Sequence, residues 1–155
     1  MYNFSKIFIS LFGIGFFPLA PGTMGTFFSL IFFYFIINQI STLVLILIFF
    51  LVFFVSIFFI NIYSDKNKIY DSSEIVIDEF LGILTILIFY NFIKFTNDLI
   101  MFSLIFLLFR FFDIIKIYPA NIIDKKFKNS LGVILDDLVA GVYCVFILFL
   151  VNVFK

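Results

Sequence analysis

The sequence predicts an all-α fold: a polytopic integral membrane helical bundle of about five spans (four possible), plus an N-terminal interfacial or re-entrant segment. Three observations carry that expectation. Of 155 residues, 65% are hydrophobic and only 13% are charged, with a mean hydropathy of +1.27. A soluble domain is roughly 45–50% apolar with about 25% charge. Several apolar runs approach the roughly 20 residues that a helix needs to cross a bilayer. The charged residues between those runs gather in two connections rather than being scattered. The length allows a single membrane-embedded domain, residues 1–155.

Taken in order, residues 4–19 are apolar but contain Gly13, Gly15 and Pro18. They suit an interfacial helix or a re-entrant segment better than a cleaved signal peptide, because no small-x-small cleavage site follows. The first span covers about residues 24–40, preceded by a Pro21-Gly22 turn with Thr23 placed to cap the helix. The second, about residues 42–63, carries no charge at all. The third and fourth, about residues 80–95 and 99–112, are short. The fifth covers about residues 138–154. Tyr118-Pro119 breaks the chain after the fourth span, since proline forces the preceding residue out of helical geometry. Residues 121–130 then read as a basic amphipathic surface segment, with Ile122, Ile123 and Phe127 toward lipid.

With the N-terminus in the cytoplasm and five alternating spans, Lys6, Lys66, Lys68, Arg110, Lys116, Lys125, Lys126 and Lys128 lie inside. Only Lys94 and Lys155 lie outside. That distribution satisfies the positive-inside rule. The inner connections, residues 64–79 and 113–137, hold most of the acids, so the polar chemistry converges on one face.

Composition removes many functions. Ten basic and ten acidic residues give no net charge, which implies no nucleic-acid partner. There is no histidine, and the one cysteine, Cys144, lies inside an apolar run. Catalytic triads that use histidine, zinc sites built from His and Cys, and an internal disulfide are all excluded. The 29 phenylalanines and the absence of tryptophan read as compositional drift. Apolar identity is therefore less informative than the Gly, Pro and charged positions.

Asp78 and Glu79 open the third span, Arg110 and Asp113 close the fourth, and Asp136 and Asp137 open the fifth. Carboxylates at membrane depth are costly and mark function by default. The bland alternative is compensation of helix dipoles, which suits the acidic pairs but not Asp113 at a helix C-terminus. Paired carboxylates offer hard oxygen ligands of the kind that suit Mg²⁺ or Ca²⁺. Arg110 and Lys116 bracket Asp113 at i−3 and i+3 on one helical face. Metal, cations and carboxylates together are the equipment for handling a phosphate. Backbone N–H groups at the helix start that contains Thr23 and Gly25 can cradle one too, although a plain capped turn is the stronger reading of that segment by itself.

Four segments in order carry a resemblance. They are Pro18-Leu-Ala-Pro-Gly-Thr-Met-Gly-Thr26, Tyr70-Asp-Ser-Ser-Glu-Ile-Val-Ile-Asp-Glu-Phe-Leu-Gly82, Phe109-Arg-Phe-Phe-Asp-Ile-Ile-Lys-Ile-Tyr-Pro119 and Gly132-Val-Ile-Leu-Asp-Asp-Leu-Val-Ala-Gly141. In that order and spacing they resemble the phosphatidylglycerophosphatase A family across nearly the whole chain. The resemblance implies a Mg²⁺-dependent phosphatase of the bacterial inner membrane. It would convert phosphatidylglycerophosphate to phosphatidylglycerol and phosphate. The positions that match the family's polar residues are Thr23, Asp71, Asp78, Glu79, Arg110, Asp113, Lys116, Asp136 and Asp137. Departures are Tyr70 where the family commonly has histidine, Lys116-Ile-Tyr-Pro-Ala120 for Lys-Pro-Trp-Pro-Ile, and Asn129-Ser130 for a Gly-Gly pair.

The expected assignment follows. Asp78, Glu79, Asp136 and Asp137 hold the metal. Asp113, Arg110 and Lys116 are catalytic, with Asp113 a further ligand or the base that orients water. Thr23, Gly25, Asp71, Arg110 and Lys116 bind the substrate. The partners are phosphatidylglycerophosphate and membrane lipid; the sequence sets no oligomeric state. A CDP-alcohol phosphatidyltransferase is excluded by the lack of its Asp-Gly-x-x-Ala-Arg start. The non-enzyme alternative, a small transporter or channel subunit, requires ionisable groups near the midplane of the spans.

Overall fold

A computed structural model describes residues 1–70, 72–93 and 97–154. Among the described residues there are seven α-helices and no strand: α1 (Tyr2–Ile9), α2 (Pro21–Ile36), α3 (Thr42–Asn67), α4 (Ile77–Ile88), α5 (Asp98–Ile115), α6 (Ala120–Lys126) and α7 (Ser130–Val153). Three helical segments are long and apolar enough to cross a membrane: Pro21–Gln39, Thr42–Asn67 and Ser130–Val153. The other two expected spans differ from these for separate reasons. α4 has 12 residues and ends in a short 3₁₀ turn, Tyr90–Phe92, so it is about 18 Å long. α5 has 18 residues but includes Asp98, Arg110 and Asp113.

Helix α4 is short because it is central. It packs against α7, α3, α2 and α5. Leu81, Gly82, Ile83, Leu84, Ile86 and Leu87 are all buried. Its apolar character meets protein on every side, so its length need not match a bilayer. α3 is the opposite case. It is apolar all round, and exposed Leu47, Leu51, Phe54 and Phe58 present an apolar outer surface.

The ends follow from local chemistry. α2 starts at Pro21, three residues before the expected start, because proline suits the first helical position, where its missing N–H is no loss. Thr23 is therefore inside the first turn and is not the cap; the N-cap residue is Ala20, with no side-chain cap bond. Ser41 caps α3 by accepting from Val44 N, and Asn97 caps α5 by accepting from Leu99 N and Ile100 N. Asn129 caps α7 by accepting from Gly132 N at 2.8 Å. That cap starts α7 eight residues before the expected position 138.

Helix α1 is too short to cross. It lies along the last turns of α3, with Tyr2 stacked on Tyr63 at 5.9 Å and Phe8 against Phe59 at 5.1 Å. Left-handed Leu11, Phe12 and Gly13 then reverse the chain. The loop before α4 is pinned to this segment by the bond from Val76 N to Ile9 O, 2.9 Å. The far end of the bundle is tied separately, by Tyr90 Oη donating to Asp98 and Asn91 Nδ2 donating to Thr42.

Candidate active site

The contact between α4 and α7 rests on two glycines. A Cβ on Gly141 would lie 2.7 Å from the Gly82 carbonyl oxygen, and one on Gly82 would lie 2.5 Å from the Phe109 ring. Without side chains at these positions the helices approach closely. Asp78 lies one turn before Gly82, and Asp137 lies one turn before Gly141. The glycine contact therefore sets the two acidic pairs at the same level. Each pair has the same local geometry. Asp78 Oδ1 accepts from Glu79 N at 3.1 Å, and Asp136 Oδ1 accepts from Asp137 N at 3.2 Å.

One oxygen from each of Asp78, Glu79 and Asp137 lies within 4.8 Å of the others. Asp136 turns elsewhere. Its Oδ2 accepts from Lys116 Nζ at 2.7 Å, and the same ammonium donates to Asp124 Oδ1 at 2.7 Å. The expected four-carboxylate group thus divides into a cluster of three and an ion-paired fourth. The dipole explanation also fails for Asp136 and Asp137, which lie in the second turn of α7, beyond the reach of its N-terminal charge. Glu79, Asp136 and Asp137 are all buried.

From α5, Arg110 Nη1 pairs with Asp113 Oδ2 at 2.6 Å and lies 3.8 Å from Glu79 Oε1. Two buried polar atoms here have no hydrogen-bond partner: Glu79 Oε2 and Arg110 Nε. An unpartnered buried carboxylate oxygen beside two more carboxylates fits a hard cation, whose attraction offsets the desolvation. The donor set is all oxygen, as Mg²⁺ requires and zinc disfavours.

These groups line a cavity of about 310 Å³ at one end of the bundle. Gly22, in the first turn of α2, forms part of its wall, and a Cβ there would collide with Glu79 Oε1. Thr23 and Gly25 do not line it. Gly25 instead lets Val76 pack on α2, with 2.8 Å from a built Cβ to Val76 Cβ. Asp71 lies outside the described residues. The remaining expected residues, Asp78, Glu79, Arg110, Asp113, Lys116, Asp136 and Asp137, all line the cavity.

Sequence reasoning missed Asp124 and Lys128, which line the same cavity. Asp124 was the one acid in a segment read as a basic surface, and that isolation was its only signal. The hydrogen bond from Lys116 holds the Asp124 carboxyl below its ordinary pKa. Burial alone would lower the Lys116 pKa, but its bonds to Asp124 and Asp136 outweigh that and raise it. Lys128 makes no ion pair among the described residues.

Three apolar helices of crossing length, closed at one end by convergent carboxylates and paired cations, define the class as a helical membrane protein with a charged cavity at one end of the bundle. The family model described as Phosphatidylglycerophosphatase A matches residues 7–152, and the chain belongs to that family. Phosphatidylglycerophosphatase A of Haemophilus influenzae is 29% identical over 141 residues, covering 91% of this chain and 84% of that protein. Phosphatidylglycerophosphatase A of Escherichia coli K12 is 30% identical over 144 residues, covering 91% of this chain and 79% of that protein. No solved structure matches the chain.

Proposed function

We propose that the protein hydrolyses phosphatidylglycerophosphate to phosphatidylglycerol and inorganic phosphate in this cavity, with Mg²⁺ held by Asp78, Glu79 and Asp137. The observation that carries the reading is the charge balance of the cavity wall. Six carboxylates (Asp78, Glu79, Asp113, Asp124, Asp136, Asp137) face three cations (Arg110, Lys116, Lys128). A divalent cation among these carboxylates offsets most of that excess negative charge and gives a phosphate dianion a partner of opposite sign. Family membership supplies the substrate class, and the named relatives supply the lipid.

Mg²⁺ bound there supplies charge neutralisation to the phosphate oxygens. The chain supplies position. Arg110 is oriented by Asp113 and reaches the cavity from α5, while the first turn of α2 at Gly22 presents backbone N–H groups at the positive end of a 16-residue helix. Water adds to phosphorus, the bond from phosphorus to the glycerol oxygen breaks, and a proton passes to that oxygen. Asp113, 2.6 Å from Arg110, is the carboxylate placed to accept the attacking water's proton. Lys116 does not clamp the phosphate in this reading. It holds Asp136 and Asp124, and so fixes α6 over the cavity.

The cavity lies on the cytoplasmic side of a bacterial inner membrane, with the N-terminus on the same side, as the distribution of lysines supports. In this reading α4 and α5 also pass between the two faces, giving five crossings, with α4 shielded from lipid by its neighbours. The test is product analysis with purified protein in detergent. Phosphatidylglycerol and phosphate are expected in equal amounts from phosphatidylglycerophosphate. A folded sample that releases neither would overturn the reading and return attention to a transporter or channel subunit.

A further inference from the structure

We infer that the seam between α2 and α5 holds an acyl chain of the lipid substrate. The inference rests on the lipid-phosphate reading above and gives that substrate's tail a place.

A groove of about 660 Å³ runs along this seam, walled by Phe27, Ile31 and Tyr34 from α2 and Phe102, Ser103 and Phe106 from α5. It lies on the same two helices as the polar cavity, about one turn further along each of them. Gly22 and Arg110 line the cavity. One turn further, Thr26 Oγ1 lies 3.5 Å from Arg110 Nη1 and marks the boundary. Immediately beyond it the rings of Phe27 and Phe106 meet edge-on at 6.2 Å and begin the apolar stretch. From Phe27 to Phe35 the helix rises about 12 Å, close to the depth of one leaflet of a hydrocarbon core about 30 Å thick. A lipid whose phosphate sits at Arg110 thus finds a concave apolar path that leads away from the membrane surface. Ser103 leaves that path open. It is the small residue in the wall, and its hydroxyl is spent on Leu99 O at 2.8 Å, so it offers the groove no free donor.

A second copy of the chain fits this surface less well. A two-fold contact places the same patch on both partners, so groove would face groove and neither would be filled.

The experiment compares hydrolysis of dioleoyl and dihexanoyl phosphatidylglycerophosphate in mixed micelles. It uses wild type, Ser103→Phe, Leu107→Trp at a further residue of the groove wall on α5 and, as a control on the outer face of α3, Leu51→Phe. Losing the burial of two methylenes costs about tenfold in binding. The ratio of kcat/KM for the dioleoyl over the dihexanoyl substrate should therefore fall about tenfold in both groove variants and stay at the wild-type value in Leu51→Phe. Turnover of the dihexanoyl substrate reports that each variant is folded. A ratio that stays at the wild-type value in both groove variants overturns the inference and leaves the phosphatase reading intact. A groove variant that instead dissociates a cross-linkable dimer overturns it in favour of a second copy. A wild type that cleaves neither lipid overturns the phosphatase reading, and the inference with it.

Discussion

Gly141 faces the backbone of Gly82 so closely that an added Cβ would stand 2.7 Å from the Gly82 carbonyl oxygen. This contact between two apolar helices sets the register of the acids one turn away. Gly141→Ala should push α7 off α4 at a cost of about 1–3 kcal/mol, since overpacking at a close contact is of that size. Phosphate release should fall at least tenfold, because a small misplacement of catalytic groups is costly. Thermal unfolding in detergent and a phosphate assay check the two effects. Wild-type activity in Gly141→Ala would mean that the glycine contact does not set the site.

The division of the acids separates their substitutions. Asp78→Asn, Glu79→Gln and Asp137→Asn each remove an oxygen from the convergent group and should lower turnover at least about 100-fold, with the Mg²⁺ requirement shifted to higher concentration. Asp136→Asn should leave the Mg²⁺ midpoint near wild type, because Asp136 is held by Lys116 at 2.7 Å. Mg²⁺ titrations of activity for the four variants decide it. An Asp136→Asn midpoint shifted as far as that of Asp137→Asn would restore the four-carboxylate site.

The Asp124–Lys116 pair fixes α6, and its pH window follows from the two shifts. Asp124 is lowered in the folded protein. Its contribution is present above the unfolded value of about 3.9 and is lost as pH falls through the folded value. Lys116 is raised, so its contribution is present below the unfolded value of about 10.4 and is lost as pH rises through the folded value. The pair is thus intact throughout the neutral range and opens in acid below about pH 4. The chain contains no tryptophan, so Phe127→Trp provides a single emission reporter beside α6. Its spectrum should shift in acid, and Asp124→Asn should abolish that transition. The same acid transition in both proteins would contradict the assignment.

Lys128 lines the cavity and makes no ion pair among the described residues, whereas Arg110 and Lys116 are both held by carboxylates. It is the cation available to draw in a phosphate. Lys128→Ala should raise KM about fivefold, as suits one solvated charge contact, and leave kcat nearly unchanged. Steady-state kinetics at two salt concentrations test it, and the effect should shrink at the higher one. A loss confined to kcat would contradict this role.

The all-α class was legible because hydropathy and charge spacing are strong, independent signals. The uncharged run at 42–63 became α3, extended at one end to Asn67. The seven cavity-lining residues named in advance were legible because charges in so apolar a chain stand out. What failed was local. Thr23 looked like a cap because it precedes an apolar run, but Pro21 had already started the helix. Asp136 and Asp137 read as a helix start because charge commonly ends a span; Asn129 starts α7 earlier, and protein contacts let the acids ride inside it. Hydropathy does not distinguish burial in lipid from burial in protein, so the run around 80–95 reads as a short membrane span although α4 is surrounded by protein. Asp124 was legible only as a lone acid in a basic segment, which does not show its partner. Its bond to Lys116 crosses the chain reversal around Pro119, which sequence spacing does not locate.

The most direct test of the account is phosphate release from phosphatidylglycerophosphate by the purified, folded protein, measured with Mg²⁺, after EDTA, and after Mg²⁺ is restored. The account predicts release with Mg²⁺, none after EDTA, recovery on restoration, and release at least about 100-fold slower from Asp137→Asn at the same Mg²⁺ concentration. Full activity in metal-free protein, with the metal content verified, would contradict a magnesium site at Asp78, Glu79 and Asp137.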